Sequence, residues 1–126
     1  MKVNILMMLA AIVAGVFGIG FVLMPGEVLS IYGVTPDVSI NYMSQLFGAA
    51  LILVAVCTWV AKDAPNSEAR RAIIMGIFIG DTVGFVVALM GQLGNAVNML
   101  GWSTVAIYLF FALSFGYIHF TSKSTA

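Results

Sequence analysis

One carboxylate is a candidate for chemistry because it lies in the middle of an apolar stretch. The segment IFIGDTVGFVVALMG, residues 77–91, contains Asp81 as its only ionisable side chain. An ionisable residue in hydrocarbon is usually functional or paired with another group. Arg71 precedes Asp81 by ten positions and Gln92 follows it by eleven. A helix would therefore place Asp81 about 15 Å from each boundary, at the midplane of a bilayer.

Four interpretations of Asp81 are compatible with this position. A protonated carboxyl would form a hydrogen bond within a helix bundle, and Tyr108, with Thr104 one turn away, is our first choice of partner. A partner subunit would instead supply a counter-charge. A hydrophobic ligand with a polar head would contact the carboxyl directly. A transporter would use it to carry a proton or cation, although transporters usually contain several such groups.

Other polar residues lie nearer the ends of the apolar windows. Gln45 is about 10 Å from the level of Asp81 along the membrane normal, so we expect no direct contact between the two. Two explanations remain for Gln45 and the polar residues at its level. They form the floor of an outward-facing polar pocket, or they make ordinary interhelical hydrogen bonds. The pocket would be made by Ser44, Gln45, Asn98 and Ser103.

The single histidine and the single cysteine carry weak signals. His119, near the C-terminus, is a candidate haem or pigment ligand, and a contact with lipid headgroups explains it equally. Cys57 excludes an internal disulfide and a Cys-cluster metal site, and its apolar surroundings predict a buried thiol. The sequence contains no HExxH, CxxC, GxSxG or phosphate-loop motif. We therefore expect a protein that is not an enzyme and needs no cofactor, although a bound lipid or pigment is compatible.

The composition indicates that lipid is the solvent of this chain. The 126 residues are 62% hydrophobic and only 8% charged, with a mean hydropathy of +1.10. Soluble domains carry about 25% charged residues, so the charged residues here are too few to cover a soluble surface. The formal net charge of zero argues against a nucleic-acid partner.

Four apolar windows are long enough to cross a bilayer as helices. They are residues 5–24, 42–61, 72–91 and 100–120. They predict a single all-α domain, an integral membrane four-helix transmembrane bundle. Residues 66–68, NSE, supply an N-cap for the third span, and Asn95 or Asn98 could cap the fourth. The loop 25–41 opens with Pro-Gly, and a short interfacial helix is expected within it.

The basic residues predict the orientation of the chain. All five lie at the N-terminus, between spans two and three, or in the C-terminal tail: Lys2, Lys62, Arg70, Arg71 and Lys123. Loops 25–41 and 92–99 contain none. Because basic residues concentrate on the cytoplasmic side, both termini are expected in the cytoplasm. The predicted location is a bacterial inner membrane, crossed several times.

Small residues recur every fourth position along span three. Gly76, Gly80, Gly84 and Ala88 form three overlapping small-xxx-small units, and Ala10, Ala14 and Gly18 form a shorter stripe in span one. Such stripes let helix backbones approach closely in lipid. Two alternatives follow. Spans one and three pack against each other within the bundle, or one stripe faces another protein.

The run LMPGEVLSIYGV, residues 23–34, resembles an arrangement in small four-helix bacterial membrane proteins, including the DoxX-like group. A proline ends span one, and a short apolar segment then closes on Tyr32-Gly33. Such proteins often serve as accessory membrane subunits, so the resemblance implies a role without catalytic activity. We expect an accessory or structural subunit of a bacterial membrane complex or homo-oligomer that associates through its glycine-rich helix face. We expect membrane lipids and other transmembrane helices as partners, from copies of the chain or a larger complex. The alternatives are a binder or carrier of a lipid, quinone or pigment, and a small proton- or ion-coupled transporter.

Overall fold

The chain folds into helices connected by short segments. A computed structural model describes residues 2–121, and Lys123 lies outside the described residues. The helices are α1 (Val3–Leu23), α2 (Pro25–Ile31), α3 (Val38–Ala61), α4 (Glu68–Leu93) and α5 (Gly101–Thr121). The described range contains no strand, which confirms the all-α prediction. The short helix expected in the first long loop is α2.

Four helices, α1, α3, α4 and α5, are long and apolar enough to cross a membrane. They contain 21 to 26 residues and are about 31–39 Å long at 1.5 Å per residue, enough for a hydrocarbon core of about 30 Å. Large apolar side chains cover their outward faces, for example Val16, Val60 and Val87. The protein is therefore a multi-pass membrane protein, as the four windows predicted.

Polar side chains define where three of the spans begin. Asp37 accepts a hydrogen bond from the Ile40 amide at 2.8 Å before α3. Ser67, within the predicted capping segment, accepts one from the Arg70 amide at 3.3 Å before α4. Of the two candidates before α5, Asn98 accepts a hydrogen bond from the Leu100 amide at 3.0 Å. Each side chain satisfies an amide that the helix leaves without an internal partner.

Helix α1 packs antiparallel along α3, and the two backbones approach closely at a pair of glycines. A Cβ added at Gly48 would lie 2.7 Å from the carbonyl oxygen of Gly18, and one added at Gly18 would lie 2.9 Å from that of Gly48. Neither position can therefore accept a larger residue without a backbone shift. The small-residue stripe of span one is used for this contact.

Helix α4 packs antiparallel along α5. The Tyr108 ring lies against Gly84, and the Phe78 ring lies against Gly116. Helices α1 and α4 do not pack along each other, so the alternative in which spans one and three pack against each other is wrong. That alternative was based on the match between the small-residue stripes of the two spans. In the structure, the stripe of α1 contacts α3, and Gly84 in the stripe of α4 contacts α5.

The two helix pairs meet at the end of the bundle that carries Lys2, Lys62, Arg70 and Arg71, which we call the basic end. A cluster of buried side chains joins all four spans there, with Phe115 and Met7 fully inaccessible. Its members are Leu6, Met7, Ala10, Ala61, Ile74, Phe111, Phe115 and Ile118. Because this cluster is confined to one end, it leaves the middle of the bundle less tightly packed.

Polar contacts join the pairs at the opposite end, which we call the α2 end. The side-chain amide of Asn98 donates a hydrogen bond to the Ile31 carbonyl, and the backbone amide of Asn98 donates one to the Tyr32 carbonyl, both at 2.9 Å. Gly33 has a φ of 78°, and a Cβ there would lie 3.1 Å from that of Asn98. The segment between α4 and α5 is thereby fixed to the segment after α2.

Candidate functional site

A cavity of about 690 Å³ lies between the two helix pairs. Its wall is formed by α1, α3, α4 and α5, by Val97, and by Leu29, Tyr32 and Val34 near the α2 end. Most of the lining side chains are aliphatic or aromatic. The cavity exists because the pairs touch at the two ends of the bundle and separate between them.

The cavity opens sideways, between α3 and α4. On α3, Leu53, Val54 and Cys57 line the cavity and are also exposed. On α4, Gly76 and Gly80 do the same, and a Cβ added at either glycine would have no neighbouring atom within 4 Å. Because these residues lie within spans, the opening faces the hydrocarbon of the bilayer.

Asp81 lies in the wall of this cavity, near the middle of α4. The carboxyl group forms neither a hydrogen bond nor an ion pair within residues 2–121. Tyr108 lines the same cavity and interacts electrostatically with Asp81 and Tyr32. The predicted hydrogen bond between Asp81 and Tyr108 is not formed. The two groups are nevertheless brought to one site, as their matching depths suggested.

The other polar residues singled out by sequence are satisfied elsewhere. The Thr104 hydroxyl donates a hydrogen bond to the Tyr32 hydroxyl at 3.1 Å in the cavity wall. Gln45 donates one from Nε2 to the Val22 carbonyl at 3.0 Å, which joins α3 to α1. The Asn98 side chain donates to the Ile31 carbonyl and accepts from the Leu100 amide, and Ser103 donates to the Leu100 carbonyl. Gln45, Asn98 and Ser103 therefore make local or interhelical hydrogen bonds, and Ser44 lines a separate groove with Ser39, Met43 and Phe47, so the four residues do not form a common polar pocket.

The glycine stripe of α4 is divided between two environments. Gly76 and Gly80 face the cavity and its opening. Gly84 contacts the Tyr108 ring inside the α4–α5 pair. Ala88 is partly buried and lies outside the residues that line the cavity. The stripe is thus partly internal and partly an open surface.

Thr58 is a buried polar residue that the sequence did not single out. It lines the cavity on α3, its side chain is 1% exposed, and its hydroxyl has no hydrogen-bond partner among the described residues. Unpaired buried hydroxyls are uncommon because they cost about 1–3 kcal/mol. The neighbouring Cys57, expected to be buried, is exposed at the opening.

His119 packs against two phenyl rings at the basic end, which also contact each other. Its imidazole lies 6.2 Å from the Phe78 ring and 4.9 Å from the Phe120 ring, centroid to centroid. The described residues contain no group of three or more His, Cys, Asp or Glu that could hold a metal ion. A ligand role for His119 stays a prediction without a supporting contact.

Tyr32 was noted in the sequence only for its place before Gly33, yet its ring lines the cavity and its hydroxyl binds Thr104. The signal that could have found it is an aromatic residue with a hydroxyl beside a turn glycine, close to the outer end of a span. Thr58 offered a similar signal as a polar residue in an apolar helix. Neither signal indicates which neighbouring helix the side chain faces.

Comparison with known proteins does not add to this geometry. No protein-family model matches the chain, and neither the curated proteins nor the solved structures contain a match. The resemblance to the DoxX-like group stays a prediction.

Proposed function

We propose that the protein is a non-catalytic binder of a hydrophobic small molecule, which it holds between the helix pairs. The observation that carries this proposal is the cavity of about 690 Å³ with its opening toward the bilayer. Ligand sites commonly have volumes of about 300–1,000 Å³ and apolar walls with a few polar groups. Asp81, Tyr108 and Thr104 are such polar groups in this wall.

The route of entry follows from the position of the opening. A molecule dissolved in the bilayer reaches the cavity between α3 and α4 without crossing water. Gly76 and Gly80 keep this route wide, because neither residue has a side chain to narrow it. The side chains around an empty cavity lose dispersion contacts, so an apolar occupant stabilises the bundle.

The setting we propose is a bacterial inner membrane, with both termini in the cytoplasm. The described lysines and arginines all lie at one end of the bundle, the basic end: Lys2, Lys62, Arg70 and Arg71. The segments at the α2 end carry Glu27 and Asp37 and no lysine or arginine. The charge distribution thus supports a cytoplasmic basic end.

The test is native mass spectrometry after mild detergent extraction, comparing wild type with two variants. Gly80→Leu places a side chain in the cavity, where a Cβ meets no other atom. Val83→Phe is the matched control, since Val83 is on the same helix, is 58% exposed and lies outside the cavity wall. We expect wild type and Val83→Phe to retain a bound molecule that Gly80→Leu loses. Equal retention by Gly80→Leu would contradict the proposal.

A second candidate function is an accessory subunit that associates through α4. The open surface at Gly76 and Gly80 favours it, because small residues let a helix from another chain approach closely. The same Gly80→Leu variant would then lose a protein partner and not a small molecule. Mass spectrometry separates the two functions, since it identifies what is lost.

A further inference from the structure

We infer that the occupant of the cavity is an amphiphilic cation, an alkyl amine with one apolar tail whose ammonium group binds Asp81. This inference rests on the proposed function and specifies the chemistry of the ligand. It follows from the unpaired carboxyl, from the groups around it, from the length of the apolar wall, and from the charge at the α2 end.

The carboxyl group of Asp81 has no partner within the described chain. It forms no hydrogen bond or ion pair in residues 2–121. The described basic side chains all lie at the basic end, far from the middle of α4: Lys2, Lys62, Arg70, Arg71 and His119. A cation that enters the cavity can therefore neutralise Asp81, and a neutral ligand cannot.

The groups at the depth of Asp81 suit an ammonium. Asp81 is thirteen residues from the start of α4, and Tyr108 is thirteen from the end of α5, so both lie about 20 Å from the basic end. An ammonium has three N–H donors and no acceptor. The Asp81 carboxylate and the Tyr108 hydroxyl offer acceptors for these donors. Phe17 lies at a similar depth on α1 and lines the cavity, and an aromatic residue there favours a cation.

The apolar wall on one side of Asp81 has room for one tail. The lining of α4 runs from Asp81 to Ile73 toward the basic end, eight residues or about 12 Å of helix. Val54 and Cys57 line the opposite side over the same depth. The Thr58 hydroxyl lies beyond them in the same wall, and an alkyl tail forms no hydrogen bond with it. A straight alkyl chain fills such a slot with its ammonium at Asp81.

The charge at the α2 end also favours a cation. Residues 24–41 and 92–100 contain Glu27 and Asp37 and no basic residue. The basic end has the opposite sign. A potential of this polarity attracts cations to the α2 end, where Leu29, Tyr32 and Val34 form part of the cavity wall.

The experiment measures binding of two radiolabelled probes with the same tail, decylamine and decanol. The protein is placed in nanodiscs of zwitterionic phosphatidylcholine at pH 7, where the amine is protonated, and binding to empty nanodiscs is subtracted. The variants are Asp81→Asn, which removes the charge at nearly constant shape, Asp81→Glu, which keeps the charge, and Gly80→Leu, which places a side chain at the opening of the cavity.

We expect wild type to bind decylamine about 30-fold more tightly than decanol, as for a buried hydrogen-bonded charge pair. Asp81→Asn should abolish this preference, Asp81→Glu should retain most of it, and Gly80→Leu should weaken both probes. If both probes bind with equal affinity and Gly80→Leu weakens both, the inference that the ligand is a cation would be overturned. The proposal that the cavity binds a hydrophobic molecule would stand. Failure of both probes to bind, or binding unaffected by Gly80→Leu, would overturn the two together.

Discussion

Asp81 occupies a position where the fold gains little from a carboxyl group. Within residues 2–121 it donates and accepts no hydrogen bond, although Tyr108 lines the same cavity. A charged residue at the bilayer midplane costs at least about 2.5–3.5 kcal/mol on insertion scales. Stabilising such a site by mutation often removes the function that required it. The unpaired carboxyl is therefore better explained by a ligand than by helix packing.

A stability measurement separates these explanations. We expect Asp81→Leu to change the free energy of unfolding of the empty protein by less than about 0.5 kcal/mol, because Asp81 forms no hydrogen bond or ion pair within residues 2–121 that the substitution would remove. If Asp81 instead served helix packing through a hydrogen bond, Asp81→Leu would cost about 0.6–2 kcal/mol. The protein is purified without its bound lipids and returned to bilayers, where the free energy of unfolding is measured. Val83→Leu is the control on the same helix. A clear loss of stability would support the packing explanation.

The helices show how one kind of sequence motif serves two structural purposes. Gly18 on α1 meets Gly48 on α3, where the two backbones come into contact. Gly84 on α4 receives the Tyr108 ring, whereas Gly80, one turn earlier, faces open space. Small residues at a spacing of four thus allow a close helix contact at Gly84 and form the opening of the cavity one turn away at Gly80.

Alanine substitutions in one stripe test this division. A Cβ at Gly84 would lie 2.6 Å from Cδ1 of Tyr108, so Gly84→Ala should destabilise the α4–α5 pair by about 1–3 kcal/mol through overpacking. Gly80→Ala meets no atom within 4 Å and should be neutral or slightly stabilising, because alanine favours helix by about 1 kcal/mol over glycine. The two variants differ only in position and are compared by thermal unfolding in one detergent. Equal destabilisation would contradict the division.

The sequence was sufficient to predict the elements but not their pairing. Hydropathy and length predicted four spans, and Ser67 and Asn98 marked two of the boundaries. These signals are local, so they do not depend on neighbouring helices. Pairing depends on which surfaces meet, and the lone Gly48 of α3 gave a weaker pattern than the stripe of α4. The cavity was not predictable for the same reason, since it lies between pairs.

The whole bundle is fixed at its ends and open in its middle. At the basic end, the four spans share one buried apolar cluster. At the α2 end, the pairs are joined by two hydrogen bonds of Asn98 and by the bond between Thr104 and Tyr32. Hydrogen bonds of this kind contribute about 0.5–1.5 kcal/mol each. The α2 end is therefore the end at which the pairs can separate more easily to admit an occupant.

The orientation of this bundle in the membrane decides which leaflet faces the α2 end. We test it with single cysteines in a Cys57→Ser background. Thr35→Cys reports the α2 end and leaves the Asp37 cap of α3 intact, and Ala69→Cys reports the basic end beside Arg70 and Arg71. Both positions are exposed.

If basic residues hold their end in the cytoplasm, a membrane-impermeant maleimide should label Thr35→Cys in intact cells. It should label Ala69→Cys only after permeabilisation. Labelling of both positions in intact cells would contradict a four-span chain. The reverse pattern would place the basic end outside, and Asp81 would then be reached from the opposite leaflet. With the expected pattern, the acidic α2 end faces away from the cytoplasm, so cations outside the cell are the ones that its potential attracts toward the cavity.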